Sequence, residues 1–306
     1  MSKTLQASHW GSIFAIAAAF LFASKAIFIK QVYALSPEVD ATLLMALRML
    51  CALPFFLLMA WYFRHQRQQT SRQDWCLLII SGLLGYYFAS WLDFKGLMYI
   101  SASLERMILF LYPTLTVFAA SVIYRQPITK WTLSALFVSY AGTVIVMLQE
   151  YQHRAFSSDI WLGASLVFAS AVAFAIYLLM SPRLIKQFGT WHFTGLVMSI
   201  ACFGMLIHYV LAVPSPLQTL IELPISIWFY GLMLGVLVTV LPTSLLIQSI
   251  ARLGPAHSAM IASVGPILTL IMATIILQEQ MTVLQWFGCL LNIGGVLMIS
   301  TFKRKS

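Results

Sequence analysis

The sequence predicts an all-α membrane protein: ten transmembrane helices in two inverted five-helix repeats around a central cavity, with N and C termini cytoplasmic. Three observations predict it. The composition is strongly apolar, ten apolar runs alternate with short loops whose positive charge falls on one side, and the chain matches itself at half its length. Hydrophobic residues make up 61% of the 306 residues and charged residues 9%, with a mean hydropathy of +0.89. Soluble domains have about 45–50% apolar and about 25% charged residues. Too little polar surface remains to cover a water-soluble core of this size. A bilayer removes the difficulty.

Composition also excludes several function classes. A net charge of +9 invites nucleic acid, but the cations sit in short loops between apolar runs and form no basic stripe. Cys51, Cys76, Cys202 and Cys289 fall inside apolar stretches without metal-ligand spacing, and read as small buried hydrophobes. There is no phosphate-cradling Gly-x-x-x-x-Gly-Lys-Ser/Thr loop, so no built-in ATPase is expected. No His-Glu-x-x-His motif or aspartate cluster marks an intramembrane enzyme. No cofactor is expected either. The run from Trp10 has neither a strongly basic leader nor a small-residue cleavage site, and reads as helix 1 of the mature protein.

An uncharged run of 18 or more residues is the mark of a spanning helix, since about 20 residues cross the hydrocarbon. Such runs, some broken by one charge, fall near 10–32, 41–63, 75–97, 102–123 and 131–149, then 159–181, 190–212, 226–249, 256–277 and 283–301. Most connections carry a breaker: Ser36-Pro37, Arg125-Gln126-Pro127, Ser181-Pro182, Pro214-Ser215-Pro216 and Gly254-Pro255. With the N-terminus inside, the inner loops hold Lys3; Arg64, Arg67 and Arg72; Arg125 and Lys130; Arg183 and Lys186; Arg252; and Lys303, Arg304 and Lys305. Among outer loops only Arg154 stands clear of the helix ends. This is the positive-inside bias. It predicts a multi-pass protein of the bacterial inner membrane.

Shifting the chain by 153 positions aligns Pro113 with Pro266, Met107 with Met260, Gly82 with Gly235, Thr129 with Thr282 and Gly142 with Gly295. Paired prolines and glycines at one fixed offset are harder to obtain by chance than paired leucines. The repeats are 10–149 and 158–302. Each holds five helices, an odd number, so the second must enter the membrane from the opposite side. Inverted repeats of this kind hold their substrate between the halves near the midplane. Pro113 and Pro266 fall within the fourth helix of each half, where a proline removes a backbone hydrogen bond and bends the helix. They are the candidate helix-break and gating positions.

Tyr99-Ile-Ser-Ala-Ser103, Tyr112-Pro-Thr, Ile128-Thr and Gly142 resemble the first-half signature of the EamA family, in the drug/metabolite transporter superfamily. Leu253-Gly-Pro-Ala256, Gly265-Pro-Ile, Gln278-Glu-Gln, Thr282, Trp286-Phe-Gly288 and Asn292-Ile-Gly-Gly295 resemble the second-half copy. The resemblance covers nearly the whole chain. It implies a secondary carrier that moves small metabolites by alternating access, frequently amino acids or their derivatives and commonly outward, with import or exchange as the alternative on the same fold. It also implies a glutamate after the fourth helix of each half. Glu279 keeps it, whereas the first half has Gln126; a helix-end cap is the expected role of Glu279.

Charges inside apolar runs are costly, roughly 2.5–3.5 kcal/mol each on insertion scales, and so face a cavity or a partner. Lys25, Arg48, Asp93, Glu105 and Arg106 are such charges, all placed by the topology in the outer half of the membrane. Tyr86, Ser90 and Asp93 share one face of the third helix, and Ser101, Glu105 and Tyr112 one face of the fourth. The expected substrate-binding set is Lys25, Arg48, Tyr86, Ser90, Asp93, Glu105, Tyr112 and Tyr177, with Phe174, Phe203 and Trp228 as further aromatic wall. Three cations against two acids suit a carboxylate or other anion on an apolar or amphipathic body. The alternative is structural: Asp93 paired with Lys95 or Arg48, Glu105 with Arg48 or Lys25. Lys30, Lys95 and Arg106 read as snorkelling side chains, and His192 and His208 as packing residues. The expected partners are the bilayer, a small-molecule substrate and a proton or counter-substrate, in a monomer or homodimer.

Overall fold

The structure, a computed structural model, describes residues 2–124, 130–153, 159–253 and 264–302. Helix is the only regular structure among them. The helices are α1 (Ser2–Leu35), α2 (Ala41–Tyr62), α3 (Arg72–Gly82), α4 (Ala89–Gly96), α5 (Ala102–Leu109), α6 (Tyr112–Tyr124), α7 (Lys130–His153), α8 (Asp159–Phe188), α9 (Thr190–Ala212), α10 (Pro216–Glu222), α11 (Ile225–Leu232), α12 (Leu241–Leu253), α13 (Gly265–Ile276) and α14 (Val283–Phe302). The π-helical stretch Leu83–Phe88 joins α3 to α4, and a second, Met233–Val240, joins α11 to α12.

Eight helical segments are long and apolar enough to cross a bilayer: Trp10–Leu35, Ala41–Tyr62, Arg72–Gly96, Ala102–Ala120, Leu133–Gln152, Asp159–Phe188, Thr190–Ala212 and Ile225–Leu253. Two shorter apolar helices, Gly265–Ile276 and Val283–Gly295, fall where the ninth and tenth spans are expected. Large apolar side chains such as Leu58, Phe137, Leu211 and Ile225 point outward from the bundle. That surface suits lipid, which solvates apolar groups as well as a protein interior does.

Local chemistry sets the helix ends. Asp40 caps α2 by accepting from Leu43 N, and Ser71 with Asp74 forms a reciprocal capping box on α3. Gly189, at φ +76°, closes α8 and turns the chain into α9. The breaker-rich connection at Pro214–Pro216 begins a short helix of its own, because a proline costs nothing at N1. The symmetric prolines differ from expectation in the same way. The fourth span breaks after Leu109, and Pro113 lies in the first turn of α6. Pro266 likewise lies in the first turn of α13. Neither is a mid-helix kink.

Positions 153 apart meet across the bundle. Met49 Sδ and Cys202 Sγ lie 3.4 Å apart where α2 crosses α9, and Asn292 Nδ2 donates to Ser139 O at 3.3 Å where α14 crosses α7. A Cβ on Gly142 would strike Gly288 O at 2.3 Å and Asn292 N at 2.6 Å. One on Gly295 would strike Ala135 O and Ser139 N, the offset images of those atoms, at 2.6 Å each. Both crossings are antiparallel. Along α7 and α14, Gln149 meets Thr282 while Ala135 meets Gly295. Along α2 and α9, Met49 meets Cys202 while Ala60 meets Gly195. The π-helical stretches nearly coincide too, since 83–88 moved by 153 becomes 236–241.

The largest buried cluster lies between α1, α2, α4 and α9, around Ile27, Leu44, Met45, Phe56, Phe94, Met198 and Tyr209. It borders the intramembrane charges on one side.

Candidate functional site

Lys25 from α1, Asp93 from α4 and Glu105 from α5 converge. The ammonium of Lys25 donates to Asp93 Oδ2 at 2.5 Å and to Glu105 Oε1 at 3.1 Å. Asp93 is 2% exposed and Glu105 0%. Of the two expectations, a cavity or a partner, the partner is what these three show: in this conformation they close on one another. Of the structural alternatives, Glu105 with Lys25 is the pairing observed, and Asp93 joins the same lysine rather than Lys95 or Arg48. Three helices are tied together by one ammonium.

Arg48 stands apart from that cluster. It is 7% exposed, and among the described residues no carboxylate reaches its guanidinium. Nε donates to Thr239 Oγ1 at 2.8 Å, Nη1 lies 3.5 Å from Met45 Sδ, and the guanidinium sits 5.2 Å from the centre of the Phe94 ring. Thr239 belongs to the second π-helical stretch, and its hydroxyl donates at 2.7 Å to Leu234 O, five residues back. The second half, from which the sequence offered only aromatic wall residues, thus supplies a polar anchor. Asp93 and Tyr86 lie within electrostatic reach of Arg48.

Tyr86 carries the site into an aromatic cluster. Its ring lies 5.0 Å from Tyr177 and 6.1 Å from Phe174, and Tyr112 lies 5.1 Å from Phe174. Gly85 makes this possible, since a Cβ there would stand 2.4 Å from the Tyr177 ring. Ser90, one turn before Asp93, is half-buried. Phe203 and Trp228 do not join the cluster. Phe203 is 48% exposed on the outward face of α9, and Trp228 donates from its indole to Leu220 O at 3.2 Å.

The flanking cations fold back onto the protein rather than extending into solvent, and Arg106 Nε is buried without a hydrogen-bond partner among the described residues. Lys30 donates to Leu97 O at 2.9 Å, Lys95 lies 5.0 Å from the Trp91 ring centre, and Arg106 Nη2 packs where a Cβ of Gly265 would be, 2.9 Å from it. His192 bonds to Ala60 O at 2.8 Å, and His208 meets the Tyr87 hydroxyl at 3.1 Å.

A second polar region lies where α5 begins. Glu279 accepts from Ala102 N at 2.8 Å, Ser103 N at 3.2 Å and Ser103 Oγ at 2.6 Å. Glu150 accepts from Ser101 N at 2.7 Å and from the Ser101 hydroxyl. Ser101, Ser103, Glu150 and Glu279, with Gln280, Met281 and Gln285, line a cavity of about 200 Å³. Glu279 does cap a helix, but one in the other half of the chain. The offset partner Gln126 lies outside the described residues. A glutamate after a helix suggests a local cap in sequence; nothing there indicates that it reaches 177 positions back.

The sequence signature of the EamA-like transporter family matches the chain twice, over residues 9–148 and 161–301. The chain belongs to the EamA-like transporter family. It is a multi-pass membrane transporter. It is 28% identical over 293 residues to a Bacillus subtilis protein named "Uncharacterized transporter YcbK", covering 95% of this chain and 91% of that one. It is 25% identical to a Salmonella typhimurium protein named "Uncharacterized inner membrane transporter YicL", over 67% of this chain and 66% of the other. A solved crystal structure shares its fold, with a TM-score of 0.63 at 17% identity over 96% of this chain and 98% of that one.

Proposed function

We propose that this EamA-like protein is a secondary carrier, an exporter, of a small amphipathic metabolite bearing a carboxylate or another anionic group, such as an amino acid derivative. Two five-helix repeats of opposite sense, with both termini cytoplasmic, would alternate access to a site between them. The antiparallel contacts between positions 153 apart support that reading of the halves. The observation that carries the substrate class is Arg48. A buried guanidinium normally has an ionic partner, because leaving a charge unpaired in a low-dielectric interior is costly. Among the described residues the carboxylate within electrostatic reach of it, Asp93, is committed to Lys25. An incoming carboxylate would supply the missing charge, and Tyr86, Tyr112, Phe174 and Tyr177 would pack its apolar body.

A labelled panel of amino acids and carboxylates, offered to right-side-out and inside-out vesicles, tests both class and direction. Carriage of an anionic or amphipathic solute out of the cytoplasmic face is expected, with Arg48→Gln abolishing it while leaving membrane insertion intact. Undiminished flux in Arg48→Gln would remove this assignment. Net accumulation in right-side-out vesicles would make the protein an importer.

A further inference from the structure

Lys25, Asp93 and Glu105 leave a charge and a hydrogen bond unaccounted for. Two carboxyl groups share one ammonium, and they stand close enough to each other to interact directly. Asp93 Oδ1 and Glu105 Oε2 are fully buried and have no hydrogen-bond partner among the described residues. Among the described residues the other charged or titratable groups around the cluster are Arg106, next to Glu105 on α5 and with its own Nε buried and unpartnered, Arg48 from α2 and Tyr33 from α1, and none of them bonds to these two oxygens. α13, which packs on α5, has no titratable side chain. An ionised carboxylate only accepts hydrogen bonds, so two facing carboxylates cannot satisfy each other. One proton between them balances the lysine and turns an orphaned acceptor into a donor. A sodium ion is a poorer fit, since two unused oxygens are far fewer than a hard cation takes.

We propose that Lys25, Asp93 and Glu105 form a proton-binding site inside the membrane, occupied by one proton in the conformation described. Ionisable groups at membrane depth commonly mark proton relays. The proposal draws on the carrier reading for its use, since a bound proton would link the transport cycle to a proton gradient. The site itself is testable without any transported solute.

Infrared spectroscopy of the full-length protein in lipid bilayers at neutral pH is the test. The wild type should show the C=O stretch of a protonated, slowly exchanging carboxyl group. Carbon-13 labelling of glutamate and aspartate in the wild type should shift that band and mark it as a side-chain carboxyl without any substitution. With only nine acidic side chains in the protein, the assignment is tractable. Glu105→Gln and Asp93→Asn should each abolish the band, because the one remaining carboxylate is then matched by Lys25. A wild type with no protonated carboxyl overturns the proposal, as does a band that survives both substitutions. A carboxylate spectrum that responds to replacing choline with sodium would assign the site to sodium instead. A protonated carboxyl in a protein that moves no solute would leave this site standing and remove the carrier reading.

Discussion

At the scale of the residue, the sequence announces which side chains are costly and conceals which of them meet. Lys25, Arg48, Asp93 and Glu105 stand out because each interrupts an apolar run. That Lys25 takes both acids while Arg48 takes neither depends on how α1, α2, α4 and α5 rotate against one another, which packing decides and spacing along one helix does not. Phe203 and Trp228 fall away for the same reason: their helices turn those faces elsewhere. Glu279 is the clearest case for measurement. It satisfies two backbone N–H groups and one hydroxyl at the start of α5. Glu279→Ala leaves those donors unpaired, and each unsatisfied buried donor costs about 1–3 kcal/mol. A loss of at least that size is expected in reversible unfolding in detergent, and a smaller one for Glu279→Gln, which keeps one carbonyl acceptor. Equal stability of wild type and Glu279→Ala would show that water replaces the cap at no cost.

At the scale of the element, the spans were legible because twenty apolar residues are a local signal, whereas breaks within a span are not. Pro113 and Pro266 read in sequence as kinks; in the structure each opens a helix, where its missing N–H is harmless. The close approach of α7 and α14 belongs to this scale too. Small residues let membrane helices pack backbone to backbone, and here Gly142 and Gly295 do so at offset-related points of one crossing. Gly142→Ala and Gly295→Ala should each destabilise the protein by about 1–3 kcal/mol, the usual cost of overpacking. Gly294→Ala is the control, because nothing lies within 4 Å of the added carbon. Thermal unfolding of the three variants in one detergent decides it: if the Gly294 and Gly295 variants melt together, the contact is not tight.

At the scale of the whole molecule, the offset between the halves was readable from paired prolines and glycines and their opposite sense from an odd helix number, but which helices cross was not. Those crossings pair α2 with α9 and α7 with α14, antiparallel in both cases. Inverted topology with cytoplasmic termini carries a labelling prediction. In a cysteine-free background, Gln280→Cys should react with an impermeant maleimide added to intact cells, whereas Gln68→Cys should react only after the membrane is opened. Labelling of both from outside would be incompatible with the proposed topology.

The hydroxyl of Thr239 fills the widened turn behind it and at the same time holds the guanidinium of Arg48. A wide turn carries one more residue than a regular one, so converting it to ordinary winding would swing everything beyond it by about 100°. Thr239 would swing with it, and the cation on the facing helix would lose its tether. The coiling of one segment and the aim of the arginine opposite are therefore geared together through a single oxygen atom.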